Sequence, residues 1–219
     1  MIRICPSILN ANFDDLPGEI EKVASTADLI HLDVMDNVFV PNYTFSPERT
    51  REIIDFSTLP IDVHLMVAEV DEKVNQYCSE NAVSITVHFE ACQDPLQTLK
   101  NIRSLGKRAG LAIKPDTPIE VVEELLQAID MIVVMTVEPG FGGQSFMASM
   151  MPKVEKARRY LEQRKLNDVW LQIDGGISLT TIETARRAGA DTFVAGSAVY
   201  KSENPASMVE QLRMLANNC

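Results

Sequence analysis

The chain has 219 residues, 46% of them hydrophobic, and carries a formal net charge of -11 from 20 basic and 31 acidic side chains. That length suits one large domain, and single α/β barrels commonly run to about 200–250 residues. The acidity excludes roles founded on non-specific nucleic-acid binding or adsorption to anionic membranes, no run approaches the ~18 apolar residues of a membrane span, and the apolar content excludes disorder.

The N-terminus lacks the basic-then-apolar layout of a signal peptide and reads as a strand over 3–9. A stretch of helical period follows at 14–27, then a strand at 28–35 and a helix at 46–57, which opens Ser-Pro-Glu as a capped start should. Strands at 61–66 and 83–88 come next, then a helix at 95–105, a strand at 109–113 and a helix at 118–128. The pattern continues with a strand at 131–137, a helix at 151–163, a strand at 169–174, a helix at 179–188, a strand at 192–195 and a helix at 205–216. Strands and helical segments alternate to the end of the chain with no linker, which points to a single (β/α)8 TIM barrel over 1–219. A doubly wound open sheet usually has five or six strands and would leave some unplaced. Cys5, Cys78, Cys92 and Cys219 show no metal-finger spacing and are expected to be reduced thiols of a cytoplasmic protein.

The strands carry a second signal. In a parallel barrel the outward side chains pack under helices, and the inward ones fill the core or face the active site. Ile30, Leu32 and Val34 alternate with His31, Asp33 and Met35; Ile61, Val63 and Leu65 alternate with Asp62, His64 and Met66. All three histidines, His31, His64 and His88, fall on the inward set. His31 and Asp33 share one strand face, His64 is on the next strand and Asp174 ends the seventh. Two imidazoles and two carboxylates converging on one end of a barrel make a mixed nitrogen–oxygen site for one divalent ion such as Zn²⁺, Fe²⁺, Mn²⁺ or Co²⁺. His88 is left open between supporting, lining and merely packed roles.

The second constellation is rich in glycine: Gly140-Phe141-Gly142-Gly143 after the sixth strand, Asp174-Gly175-Gly176 after the seventh and Gly196-Ser197 after the eighth. Glycines let backbone N–H groups approach an anion closely, so a phosphate could be held here without Lys or Arg. A metal beside two carboxylates can polarise a ketone and hold the enediolate left when a neighbouring C–H loses its proton. Carboxylates on opposite faces allow removal from one side and delivery to the other. The expected reaction is epimerisation beside the carbonyl of a sugar phosphate.

At these residues the sequence resembles the ribulose-phosphate 3-epimerase family. The matching motifs are Pro6-Ser7-Ile8-Leu9, His31-Leu32-Asp33-Val34-Met35-Asp36, Phe39-Val40-Pro41-Asn42, Asp62-Val63-His64-Leu65-Met66, the run from Val134 to Phe146, Asp174-Gly175-Gly176-Ile177 and Ala195-Gly196-Ser197. The resemblance implies a barrel of the ribulose-phosphate-binding type that interconverts D-ribulose 5-phosphate and D-xylulose 5-phosphate in the pentose phosphate pathway. It implies one divalent metal on His31, Asp33, His64 and Asp174, with Asp33 and Asp174 as the acid/base pair. It places Ser7 and His64 against substrate, Gly140, Phe141, Gly142, Gly143, Gly175, Gly176, Gly196 and Ser197 on the phosphate side, and Met35, Met66 and Met135 around the reacting carbons. Self-association into a homo-oligomer is expected from the family.

Two departures stand out. Asn37-Val38 occupies the place of the family's usual Gly-His, and Asn tolerates the left-handed backbone such a turn needs. Val38 cannot hydrogen-bond, so the mouth is expected to differ there. Asn81-Ala82-Val83-Ser84 replaces the usual Ala-Gly-Ala-Asp, at the end away from the chemistry. Rival readings are a 3-epimerase of a six-carbon ketose phosphate such as allulose 6-phosphate, a decarboxylase or hexulose-phosphate synthase on the same barrel, and a dead barrel that only binds phosphorylated ligand. The lyases need Asp-x-Lys-x-x-Asp, and Asp33-Val34-Met35 has Met in place of the Lys.

Overall fold

A computed structural model describes residues 1–219. Its strands are β1 Arg3–Pro6, β2 Ile30–Met35, β3 Ile61–Met66, β4 Ala82–His88, β5 Arg108–Ile113, β6 Met131–Met135, β7 Trp170–Asp174 and β8 Thr192–Ala195. All pair in parallel in the order β1-β8-β7-β6-β5-β4-β3-β2. The ring closes where Ser7 bridges His31 and the Asp28 N–H donates to the Ile4 carbonyl. The helices are α1 Leu16–Glu21, α2 Pro47–Phe56, α3 Pro95–Ser104, α4 Met151–Gln163, α5 Ile182–Arg187, α6 Ser197–Tyr200 and α7 Pro205–Asn217. The expected (β/α)8 barrel is the observed one.

Local chemistry explains where the helices start. α2, α3 and α7 each open on a proline, whose missing N–H would have been unpaired there anyway. The preceding Ser46, Asp94 and Asn204 side chains accept from the N–H groups of Arg49, Gln97 and Ser207. The first strand stops at Pro6, short of the expected residue 9, because the Ser7 hydroxyl accepts from the Leu9 N–H and starts a tight turn over Ile8–Asn10. The helix expected over 14–27 is α-helical only through Leu16–Glu21 and ends in turns. The segment Ile119–Ala128 winds as a tighter 3-10 helix, and two 3-10 turns, Val70–Glu72 and Val74–Tyr77, stand in for a helix between β3 and β4. No helix is long and apolar enough to cross a membrane, and all four cysteines are free.

The period of two sorts the interior. Ile30, Leu32, Val34, Ile61, Val63 and Leu65 join the large apolar core between sheet and helices. The opposite faces send His31, Asp62, His64, Ser84, Thr86, His88 and Gln172 into the lumen, all fully buried. Burying such groups costs several kcal/mol each unless they find partners. Most do: Ser84 Oγ and Gln172 Nε2 donate to the two oxygens of Asp62 at 2.6 and 2.8 Å. At the N-terminal ends of the strands, the Arg3 and Arg108 guanidinium groups each lie 4.0 Å from the centre of the Trp170 ring and form a floor with it.

Candidate active site and metal centre

The site is assembled by strand register. Across β2 and β3, His31 pairs with Asp62 and Asp33 with His64, while Asp174 lies opposite Met135 across β6 and β7. This brings His31 Nε2, Asp33 Oδ1, His64 Nδ1 and Asp174 Oδ2 together, one ligand atom from each residue and all within 4.8 Å of one another. His31 Nε2 is 3.3 Å from Asp33, 3.7 Å from Asp174 and 3.3 Å from His64 Nδ1. His64 Nδ1 is 3.2 Å from Asp33 and 3.3 Å from Asp174. Both histidines are fully buried, whereas the side chains of Asp33 and Asp174 are 5% and 14% exposed, so the carboxylates alone of the four reach the cavity above.

The charges show what this cluster accepts. Burial alone would drive His31 neutral, but the Asp33 charge and hydrogen bonds with Asp174, Asp33 and Asp62 reverse that and hold it well above the usual histidine range. His64 is raised for the same kind of reason, burial again opposing, through Asp174 and Asp33. Burial opposes ionisation of Asp33 too, yet His31 and His64 hold that carboxyl well below its usual range. Asp174 is lowered as well, burial opposing and hydrogen bonds with both histidines prevailing, with the Asp33 charge also pushing it upward. In the absence of a cation, protons supply the positive charge the carboxylates demand.

A divalent ion can replace those protons. Two neutral imidazoles and two carboxylates are a donor set that Zn²⁺, Fe²⁺, Mn²⁺ or Co²⁺ accepts. Metal–ligand bonds of about 2.0–2.1 Å give ligand-to-ligand edges of roughly 3.3–3.4 Å, close to the spacings seen. Asp62, fully buried, takes His31 Nδ1 at 2.8 Å and leaves Nε2 for the ion. The sequence places Asp62 inside the barrel without giving it a task; the signal for that task is its register opposite His31.

Above the carboxylates lies an open cleft. Ser7, Met35, Met66 and Met135 line it, as do Gly140, Phe141, Gly142, Gly143, Gly175, Gly176, Gly196 and Ser197. His64, expected against substrate, lies beneath this wall. Ser7 donates its hydroxyl to Asp33 Oδ2 at 2.6 Å. The backbone N–H groups of Gly142, Gly143, Gly175, Gly176 and Gly196 donate to no acceptor in the chain, and no Lys or Arg lines the cleft. Glycine is required at 176: φ is +66°, and a Cβ there would lie 2.5 Å from the Phe146 backbone nitrogen. Asn10, which no motif in the sequence singles out, lines the cleft between Gly142 and Gly196, so close that a Cβ on either would meet its carboxamide at 2.6 or 2.5 Å.

The departures fall as their chemistry suggests. Asn37 adopts φ of +59° and keeps the turn. Val38 is 75% exposed, and Asp36 Oδ1 accepts from the N–H groups of Val38 and Phe39, so a main-chain turn is secured without a polar side chain at 38. Asn81 lies at the other end, donating to the carbonyls of Ser57 and Leu59.

His88 and Glu90 form a further group. His88 Nε2 is 2.9 Å from His64 Nε2, and His88 Nδ1 is 3.3 Å from Glu90 Oε2. Burial pushes His88 down to about 4. Burial works against the Glu90 charge, yet hydrogen bonds from His88, Thr117 and the Lys114 N–H hold that carboxyl at about 2.

Residues 3–200 match the model of the ribulose-phosphate 3 epimerase family. A ribulose-phosphate 3-epimerase of Bacillus subtilis (strain 168) is 38% identical over 214 residues, covering 97% of this chain and 99% of that protein. One from Synechocystis is 40% identical over 97% of this chain and 93% of its own length. Among solved structures, KGPDC from Streptococcus mutans superposes with a TM-score of 0.73 at 14% identity, over 100% of this chain and 98% of that one. A 3-hexulose-6-phosphate synthase gives 0.65 at 18% identity, over 98% of this chain and 99% of that one. At such identities these structures speak for the barrel alone.

Proposed function

Since the chain belongs to the ribulose-phosphate 3-epimerase family and is an isomerase of that kind, we propose that it interconverts D-ribulose 5-phosphate and D-xylulose 5-phosphate by proton transfer at C3 between two carboxylates. The observation that carries this reading is the pair Asp33 and Asp174: both reach His64 Nδ1, at 3.2 and 3.3 Å, and both open onto the cleft.

His31, Asp33, His64 and Asp174 would hold one divalent metal. When bound, it supplies Lewis-acid polarisation of the ketone and neutralises charge that develops on the oxygens. The chain's own groups do the rest. The free N–H groups of Gly142, Gly143, Gly175, Gly176 and Gly196 bind the phosphate and fix the sugar's direction. Asp33 is held ionised, with Ser7 donating to it and both histidines facing it, and serves as a base. Asp174, also held below its usual range by both histidines, is the second carboxylate and exchanges a proton on the other face of the sugar. In the reverse direction the roles exchange. Met35, Met66 and Met135 exclude water around the reacting carbon.

The test is turnover of D-ribulose 5-phosphate in D2O after metal reconstitution, with six-carbon ketose phosphates alongside. Deuterium is expected at C3 of D-xylulose 5-phosphate, with loss of turnover on chelation. Retention of the substrate hydrogen would overturn the two-carboxylate scheme, deuterium at C1 would signal aldose–ketose isomerisation, and full activity after exhaustive chelation would remove the metal. Preference for a six-carbon substrate would reassign the sugar.

A further inference from the structure

We propose that His88 and Glu90 form a positioning relay that fixes the tautomer of His64, so that His64 turns a bare Nδ1 toward the metal. This rests on the reading of His31, Asp33, His64 and Asp174 as a metal centre and names residues beyond it. The argument starts from hydrogen count. An imidazole that ligates through Nδ1 must carry its proton on Nε2. His64 Nε2 lies 2.9 Å from His88 Nε2, and both rings are fully buried, so that proton has one acceptor within reach. His88 Nε2 must then be bare, and its own proton sits on Nδ1, where Glu90 Oε2 accepts it at 3.3 Å.

Ring geometry agrees. The His64 and His88 centroids are 5.0 Å apart, 2.1 Å more than the 2.9 Å between their nitrogens, and the planes are tilted by only 22°. The rings therefore meet edge to edge, as an N–H···N bond requires, rather than face to face. Glu90 is pinned from its far side: Oε1 accepts from the Lys114 N–H at 2.8 Å and from the Thr117 hydroxyl. The Phe39 ring, its centroid 4.9 Å from that of His88, closes another side. With both nitrogens engaged, His88 is not a ligand itself. The two metal-facing histidines are thus oriented by separate devices, His31 by Asp62 directly and His64 by a carboxylate acting through an intervening imidazole.

The experiment is a long-range ¹H–¹⁵N correlation spectrum of the full chain loaded with Zn²⁺, in which only three imidazoles appear. The expected pattern is His64 protonated at Nε2 and metal-shifted at Nδ1, with His88 protonated at Nδ1 and bare at Nε2. His88 protonated at Nε2, or at both nitrogens, would overturn the relay. In parallel, chelator competition should show His88→Phe binding Zn²⁺ about 10–100-fold more weakly, the usual cost of losing such a partner. His88→Gln, whose amide oxygen can still accept from His64, should stay within a few-fold of the parent. Equal affinity of the Phe and parent proteins, or equal loss in both variants, would also overturn the relay. If His88→Phe does not fold, the spectrum of the unaltered protein decides. Zn²⁺ that shifts neither His31 nor His64 would sink the metal centre and the relay together; Zn²⁺ bound with the wrong His88 tautomer sinks only the relay.

Discussion

Asp33 and Asp174 differ in surroundings more than in position. Asp33 takes a hydrogen bond from Ser7 and is almost closed off; Asp174 takes none from a hydroxyl and is the more exposed. Asp33→Asn and Asp174→Asn keep shape and volume but remove the carboxylates proposed to carry protons. Each is expected to lower kcat by about 10²–10⁴-fold while the fold persists, read by steady-state kinetics and circular dichroism. These residues were legible in the sequence because strand alternation decides which way a side chain points. The tasks of Asp62 and His88 were not. Those depend on which residue of the next strand lies alongside, and register leaves no mark in the periodicity of one strand. Asn10 escaped for another reason: its importance comes from two glycines far along the chain that meet only after the barrel closes.

At the level of elements, the strands and most helices followed from alternation, prolines and caps. The exceptions lie where packing overrides local preference. The apolar spacing of 118–128 predicts an ordinary helix, yet Ile119–Ala128 is wound more tightly. A single serine side chain turns the first strand aside three residues early. The loops that follow β6 and β7 are locked to each other: the Met147 N–H donates to the Thr136 carbonyl, Thr136 Oγ1 donates to the Gly175 carbonyl, and Gly176 has no room for a side chain beside Phe146. Gly176→Ala must strain its backbone and push that loop away. It is expected to cost about 1–3 kcal/mol in a urea titration and to raise KM more than it lowers kcat, because the displaced N–H groups are those proposed to bind the phosphate. A kcat loss with unchanged KM would place the glycine's role in the chemical step instead.

For the molecule as a whole, Glu90 ties β4 to the turn after β5 and is held charged at about 2, below the 4.5 of a free glutamate. A depressed carboxyl stabilises the fold above its unfolded value, and that contribution disappears as pH falls through the folded one. Glu90→Gln should therefore be destabilised near neutrality, by at most about 3 kcal/mol, since each tenfold gain in acidity is worth about 1.36 kcal/mol. The gap from the parent should narrow between pH 4.5 and 2, measured as paired urea midpoints of the metal-free proteins. A gap independent of pH would mean that shape rather than charge is lost. The opposite end of the barrel has its own consequence. Trp170, with Arg3 and Arg108 against its ring and the fully buried Asp62–Ser84–Gln172 layer above it, fills the lumen at that end. An ion bound to the histidines must come and go through the doorway the sugar uses, so occupancy by one guest bars the exit of the other. Saturating product should slow the stripping of metal by a chelator, followed as the rate of activity decay, and turnover itself becomes the condition under which the ion is best retained.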